Sequence, residues 1–157
     1  DKVPVTLLTG FLGSGKSTLL TTLLKDPKFC DTAVVVNEYG YKNLISPSRK
    51  ELDLTDTEKV SEWFKKNKPT IVVLSAAKVG GIIANSSQPA DFLLKNLKIQ
   101  NNLIESAWRN CVKWLLFLVS SCIYPKNSNL PILEEELLTS CLEETNEAYA
   151  IAKISGI

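Results

Sequence analysis

Thr9-Gly10-Phe11-Leu12-Gly13-Ser14-Gly15-Lys16-Ser17-Thr18 follows the apolar run Val3-Pro4-Val5-Thr6-Leu7-Leu8, and together they read as a buried strand, a glycine-rich turn and the opening of a helix. From Gly10 to Ser17 the spacing is G-x-x-x-x-G-K-[ST], that of a phosphate loop. Gly10, Gly13 and Gly15 let successive backbone N–H groups converge on phosphate oxygens, and the dipole of the following helix adds positive potential there. Ser14 and Thr18 belong to the same phosphate-binding set. Lys16 would reach the β- and γ-phosphates as a point charge, and Ser17 would offer its hydroxyl to Mg²⁺, which keeps most of its waters. The stretch predicts a nucleotide or dinucleotide ligand, with Mg-GTP or Mg-ATP as the direct reading of the loop.

The chain has 157 residues, enough for one domain with a substantial core. Lys+Arg 18 against Asp+Glu 17 gives a net charge of +1, which argues against nucleic acid or an anionic membrane as partner. No apolar run is long enough to span a bilayer and no signal peptide opens the chain, so a cytoplasmic location is expected. The start at Asp1 and the absence of methionine suggest a processed or trimmed chain. Cys30, Cys111, Cys122 and Cys141 show no paired spacing, and no histidine is present, so neither a zinc site nor a disulfide framework is implied. Without histidine, acid–base chemistry falls to Tyr, Lys, Cys, Asp or Glu.

Past the loop, Leu19, Leu20, Leu23 and Leu24 form one stripe of a helix that ends at Asp26-Pro27. Ala33 to Val36 is a strand buried on both faces, ending in the turn Asn37-Glu38-Tyr39-Gly40. Asn43 to Ser46 is a third apolar run, too close for a parallel crossover. Thr55-Asp56-Thr57-Glu58 reads as a capping box before a helix with Val60, Trp63 and Phe64 on its apolar face. Ile71 to Leu74 is a buried strand running into small residues from Ser75 to Gly81, at the strand end where open α/β sheets place ligands. Pro89 to Asn110 is a long amphipathic helix marked by Phe92, Leu93, Leu97, Ile104, Ala107 and Trp108. Trp114 to Val119 is a central strand, Glu134 to Leu142 a short helix, and Tyr149 to Ile157 the start of another. Alternating strands and helices predict an α/β fold: a three-layer, doubly wound, mostly parallel Rossmann-like sheet with the phosphate loop after its first strand.

Residues 2–18 and Asp31 to Gly40 resemble the opening of CobW-type GTPases, which act as metallochaperones. From Gly40 the chain resembles another family, GDP-L-fucose synthase, an extended short-chain dehydrogenase/reductase. That likeness rests on Ser48-Arg49-Lys50-Glu51-Leu52-Asp53-Leu54, Ala76-Ala77-Lys78-Val79-Gly80-Gly81, Pro89-Ala90-Asp91-Phe92, Leu116 to Lys126 and Thr145 to Lys153. The chain is thus expected to be one nucleotide-binding α/β domain over 1–157, with a phosphate-loop unit at 1–40 and a reductase-like cofactor half at 41–157.

The reductase resemblance implies NADP as cofactor, with Arg49 facing its 2′-phosphate and Ala76 at the strand end beside it. It implies Ser120 as the hydroxyl that holds the substrate carbonyl, Cys122 as a base in epimerisation, and Tyr149 with Lys153 as the acid–base pair. The i, i+4 spacing of the last two places both on one helical face, and a neighbouring ammonium is expected to lower the phenol's pKa. The family's dinucleotide loop is of G-x-x-G-x-x-G type, whereas Gly10, Gly13 and Gly15 arrive as G-x-x-G-x-G-K. Val119 stands where the family has glycine, and a Cβ there is expected to crowd the nicotinamide. The chain ends eight residues after Tyr149, so the GDP-sugar domain is expected to lie outside it and catalysis to be incomplete. On the GTPase side there is no strand-end Asp for Mg²⁺ and no guanine-reading N/T-K-x-D, so the loop predicts phosphate binding without hydrolysis. Three readings stand open: a reductase-derived nucleotide-binding domain, a phosphate-loop NTPase-like module, and a join near Gly40 without evolved function. A homodimer through exposed apolar surface is compatible with each.

Overall fold

The computed structural model describes residues 5–8, 32–35, 45 and 47–157. The phosphate loop at Gly10 to Thr18, the helix expected from Ser17, and the turn at Asn37 to Gly40 lie outside these residues.

The elements run β1 (Val5–Leu8), β2 (Thr32–Val35), α1 (Thr57–Asn67), β3 (Ile71–Leu74), α2 (Ile82–Ser87), α3 (Pro89–Arg109), β4 (Trp114–Leu118) and α4 (Glu147–Ile154). The strands form one four-stranded sheet in the order β1-β4-β3-β2, with every pairing parallel. β2 pairs with β3, while β1 lies at the opposite edge on β4. Ile45 forms an isolated bridge and is exposed.

The walk β2 to β3 to β4 moves in one direction across the sheet, and right-handed crossovers then put the intervening helices on one face. α1 and α3 share that face: Val60 and Phe64 from α1 and Leu103 and Ala107 from α3 pack with Val72, Leu74, Leu115 and Phe117. Parallel register pairs Val72 with Leu115 and Leu74 with Phe117, so the core is a two-strand ladder of apolar side chains under two helices. All four residues of β3 are buried, as a strand covered on both faces requires. α4 packs against α3, and the chain after it closes on Phe117.

Local chemistry sets the element ends. The cap of α1 is Asp56, whose Oδ1 accepts from Lys59 N at 3.1 Å; Thr55 is instead drawn into a turn with Asp53. The helix ends at Lys68 in the left-handed region, φ 44°, its N–H bonded to Phe64 O, one residue before Pro69. Pro89 opens α3 in its first turn, where its missing N–H costs nothing. Trp108, expected on the buried stripe of α3, is 63% exposed, and the polar Asn96, Gln100, Asn102 and Ser106 are buried instead. The helix expected over Glu134 to Leu142 is a single 3₁₀ turn, Glu134–Glu136. Leu138 at φ 64° breaks it, and Thr139 Oγ1 takes the Glu136 carbonyl at 2.7 Å. α2, a short helix after Gly81, carries no periodic apolar signal and was not expected from the sequence.

Candidate functional site

Parallel strands deliver their carboxyl ends to one side of the sheet. Leu8 of β1 is level with Leu118 of β4, and Phe117 is level with Leu74 of β3. Ala76, two residues past β3, and Ser120, two past β4, therefore leave neighbouring strands at similar heights. Two groups of residues meet there.

The first is a cleft of about 540 Å³. One wall is the turn carrying Arg49 and Asp53 to Thr55, the other is Ser75 to Val79, and Lys95 and Ile99 of α3 close it. Arg49, exposed on the rim, and Ala76, half-buried, both line this cleft. Sequence reasoning missed Lys78 and Lys95. Both pair with Asp91, Lys95 at 3.0 Å, and the Lys78 ammonium sits 4.4 Å above the Phe92 ring. Asn96 holds the backbone of Lys78 in both directions, accepting from its N–H at 2.7 Å and donating to its carbonyl at 3.0 Å.

The second group is Ser120, Cys122, Tyr149 and Lys153. Ser121 to Ile123 form a 3₁₀ turn directly after Ser120, and α4 crosses it. Lys153 is 2% exposed, and its Nζ donates to Leu118 O at 3.1 Å while lying 4.6 Å from the Phe117 ring centroid and 6.0 Å from that of Tyr149. Burial pushes the Lys153 ammonium down to about 8, against an opposing pull from Cys122. Burial pushes the Tyr149 phenol up to about 12, and Cys122 adds to the rise. The expected lowering of Tyr149 by its lysine neighbour is therefore corrected. The ammonium is spent on a backbone carbonyl, and desolvation of the phenolate is the larger effect. Burial also raises the Cys122 thiol, and the Ser120 hydroxyl and Lys153 counteract it. At neutral pH the arrangement holds a protonated phenol, able to give a proton, beside a hydroxyl and a buried cation. Ser121 Oγ is buried without a partner among the described residues. Val119 is packed in the core cluster at 4% exposure. No group of three or more metal-ligating side chains occurs among the described residues, and Ser17, the expected Mg²⁺ contact, lies outside them.

Residues 5–157 match the NAD dependent epimerase/dehydratase family. The chain belongs to that family. Its fold is accordingly the Rossmann-like parallel sheet of NAD(P)-dependent epimerases and reductases. Among curated relatives, the chain is similar to GDP-L-fucose synthase 1 of Arabidopsis thaliana, 56% identical over 122 residues, covering 78% of the chain and 38% of the relative. It is similar to GDP-L-colitose synthase of Yersinia pseudotuberculosis, 40% identical over 151 residues, 96% of the chain and 44% of the relative. A solved GDP-mannoheptose C4 reductase from Campylobacter jejuni with NADP bound superposes with a TM-score of 0.74 at 35% identity, over 96% of the chain and 44% of that structure. The chain thus spans less than half the length of the curated relatives it matches. As an epimerase-family member it matches that family over all four strands and the Tyr149 helix. Among the described residues, no helix is long and apolar enough to cross a membrane.

Proposed function

We propose that this chain is the NADP-binding half of a cytoplasmic epimerase/reductase acting on a GDP-linked keto sugar, as in GDP-L-fucose synthase. The observation that carries the reading is the grouping of Ser120, Tyr149 and Lys153 around Cys122 at the end of β4, one strand over from a cleft with Arg49 on its rim. The cleft suits a dinucleotide: it lies at the carboxyl ends of parallel strands, it is walled by small residues, and its rim cations match phosphates.

NADPH, when bound, supplies the hydride that reduces the keto carbon. Ser120 Oγ holds the carbonyl oxygen, and Tyr149 Oη gives that oxygen its proton, so the carbonyl becomes an alcohol. Lys153 keeps positive charge behind the phenol and favours the phenolate left once the proton is given, which then takes a proton back from solvent. Cys122 moves the proton on the carbon next to the carbonyl during epimerisation. These residues orient and protonate.

We assign Gly10, Gly13, Ser14, Gly15, Lys16, Ser17 and Thr18 to a nucleotide's phosphates within a single unit, 1–157, of which 1–40 is the loop-bearing part. The family match begins at residue 5 and so takes in this stretch, which favours a dinucleotide. The lysine and serine after Gly15 favour a second reading, a CobW-type module binding Mg-GTP or Mg-ATP. Lys16→Ala separates them. Loss of NADPH affinity assigns the loop to the cofactor, whereas loss of Mg-GTP affinity with NADPH binding intact assigns it to a separate nucleotide. In Tyr149→Phe, NADPH binding persists, because the phenol serves proton transfer and not cofactor affinity.

A further inference from the structure

The cleft wall formed by Asp53, Leu54 and Thr55 is a turn outside the sheet. Asp53 Oδ1 accepts from Thr55 N at 2.9 Å and from Thr55 Oγ1 at 2.7 Å, so this carboxylate is occupied within the turn. Those bonds shape the turn without fixing its distance from the opposite wall. That distance is set from behind, by α3. Asn102, 8% exposed, donates from Nδ2 to Leu54 O at 2.9 Å and accepts at Oδ1 from Thr57 Oγ1 at 2.9 Å. Its neighbour in sequence, Leu103, is fully buried in the core, so an apolar residue at 102 would serve packing alone equally well. A buried amide is costly unless both its groups are paired, and here both pairs reach across about 45 residues to the wall and the helix that starts from it. The same helix supplies Lys95 and Ile99 to the cleft.

We infer that Asn102 is a positioning residue: by holding the Leu54 carbonyl it fixes the width of the cleft at the end that takes the adenosine bisphosphate portion of NADPH, without touching the ligand itself. The inference rests on the NADP reading above. Asn102→Asp keeps the acceptor for Thr57 and removes the donor to Leu54. Thr57→Val removes the other bond from an exposed position on the first turn of α1. Calorimetric titrations with NADPH and with adenosine 2′,5′-bisphosphate are expected to show both ligands weakened about tenfold in Asn102→Asp and about threefold in Thr57→Val. Folded variants that bind both ligands as the parent does, with only a lower melting temperature, overturn the inference. If Asn102→Asp does not fold, Thr57→Val decides. A parent protein that binds neither ligand overturns the NADP reading itself, which separates the two failures.

Discussion

Lys153 is the residue whose environment most constrains the chemistry. Its ammonium is buried among Phe117, Tyr149 and the Leu118 carbonyl, and its pKa falls to about 8 from the ordinary 10.5. The unfolded chain then binds more protons than the folded one between those two values, so the lysine's contribution to stability rises with pH across that window and is flat below it. Tyr149 acts in the opposite sense. Its folded pKa, about 12, lies above its ordinary 10.0, so its contribution is lost as pH climbs between the two. Denaturant titrations of the parent and Lys153→Met at pH 7, 8, 9 and 10 are expected to show the parent gaining on the variant only above about pH 8. A difference that is constant over that range contradicts the buried, ion-free setting of Nζ.

Among the elements, α1 and the loop after β3 make the sharpest predictions. Asp56→Ala removes the side-chain acceptor for Lys59 N and is expected to cost about 1 kcal/mol in chemical denaturation, the usual worth of such a cap. Gly80→Ala places a Cβ 2.8 Å from Phe92 Cζ and 3.0 Å from Ala84 Cβ. Phe92 is 2% exposed and has no room to retreat, so the loop must shift, at about 1–3 kcal/mol, and NADPH affinity falls with it. The same elements show what the sequence could disclose. β3, β4, α1 and α3 were legible because their apolar residues recur at the period of a strand or helix and are bounded by Pro69, Pro89 and the Asp56 region. Trp108 misled because bulk at an a-like position was read as burial, when its ring lies on the surface beside Arg109. The buried amides of α3 were invisible to periodicity, since only their distant partners, Lys78, Leu54 and Ala152, explain them. Tyr149 and Lys153 were legible as a pair, but the direction of the phenol's shift depended on burial and on Cys122, 27 residues before it in the chain.

Over the whole molecule, the parallel order β1-β4-β3-β2 gathers the cleft and the Tyr149 group onto one side, and the core beneath them is shared. Leu103, fully buried where α3 meets the sheet, underlies both. Leu103→Ala is expected to cost about 2–5 kcal/mol and to weaken NADPH binding through loss of the folded state. The strand order was the part of the fold least legible in advance. Nothing local to Thr32–Val35 says that it pairs with β3 and leaves β1 at the opposite edge, because parallel partners are chosen by long-range packing. The central claim is that this fold holds NADP at the ends of β3 and β4. It is tested most directly by titrating NADPH and Mg-GTP separately into the parent protein, Lys16→Ala and Tyr149→Phe. The account predicts saturable NADPH binding in the parent and in Tyr149→Phe. Binding of Mg-GTP that disappears in Lys16→Ala, with no NADPH binding in any of the three, would contradict it.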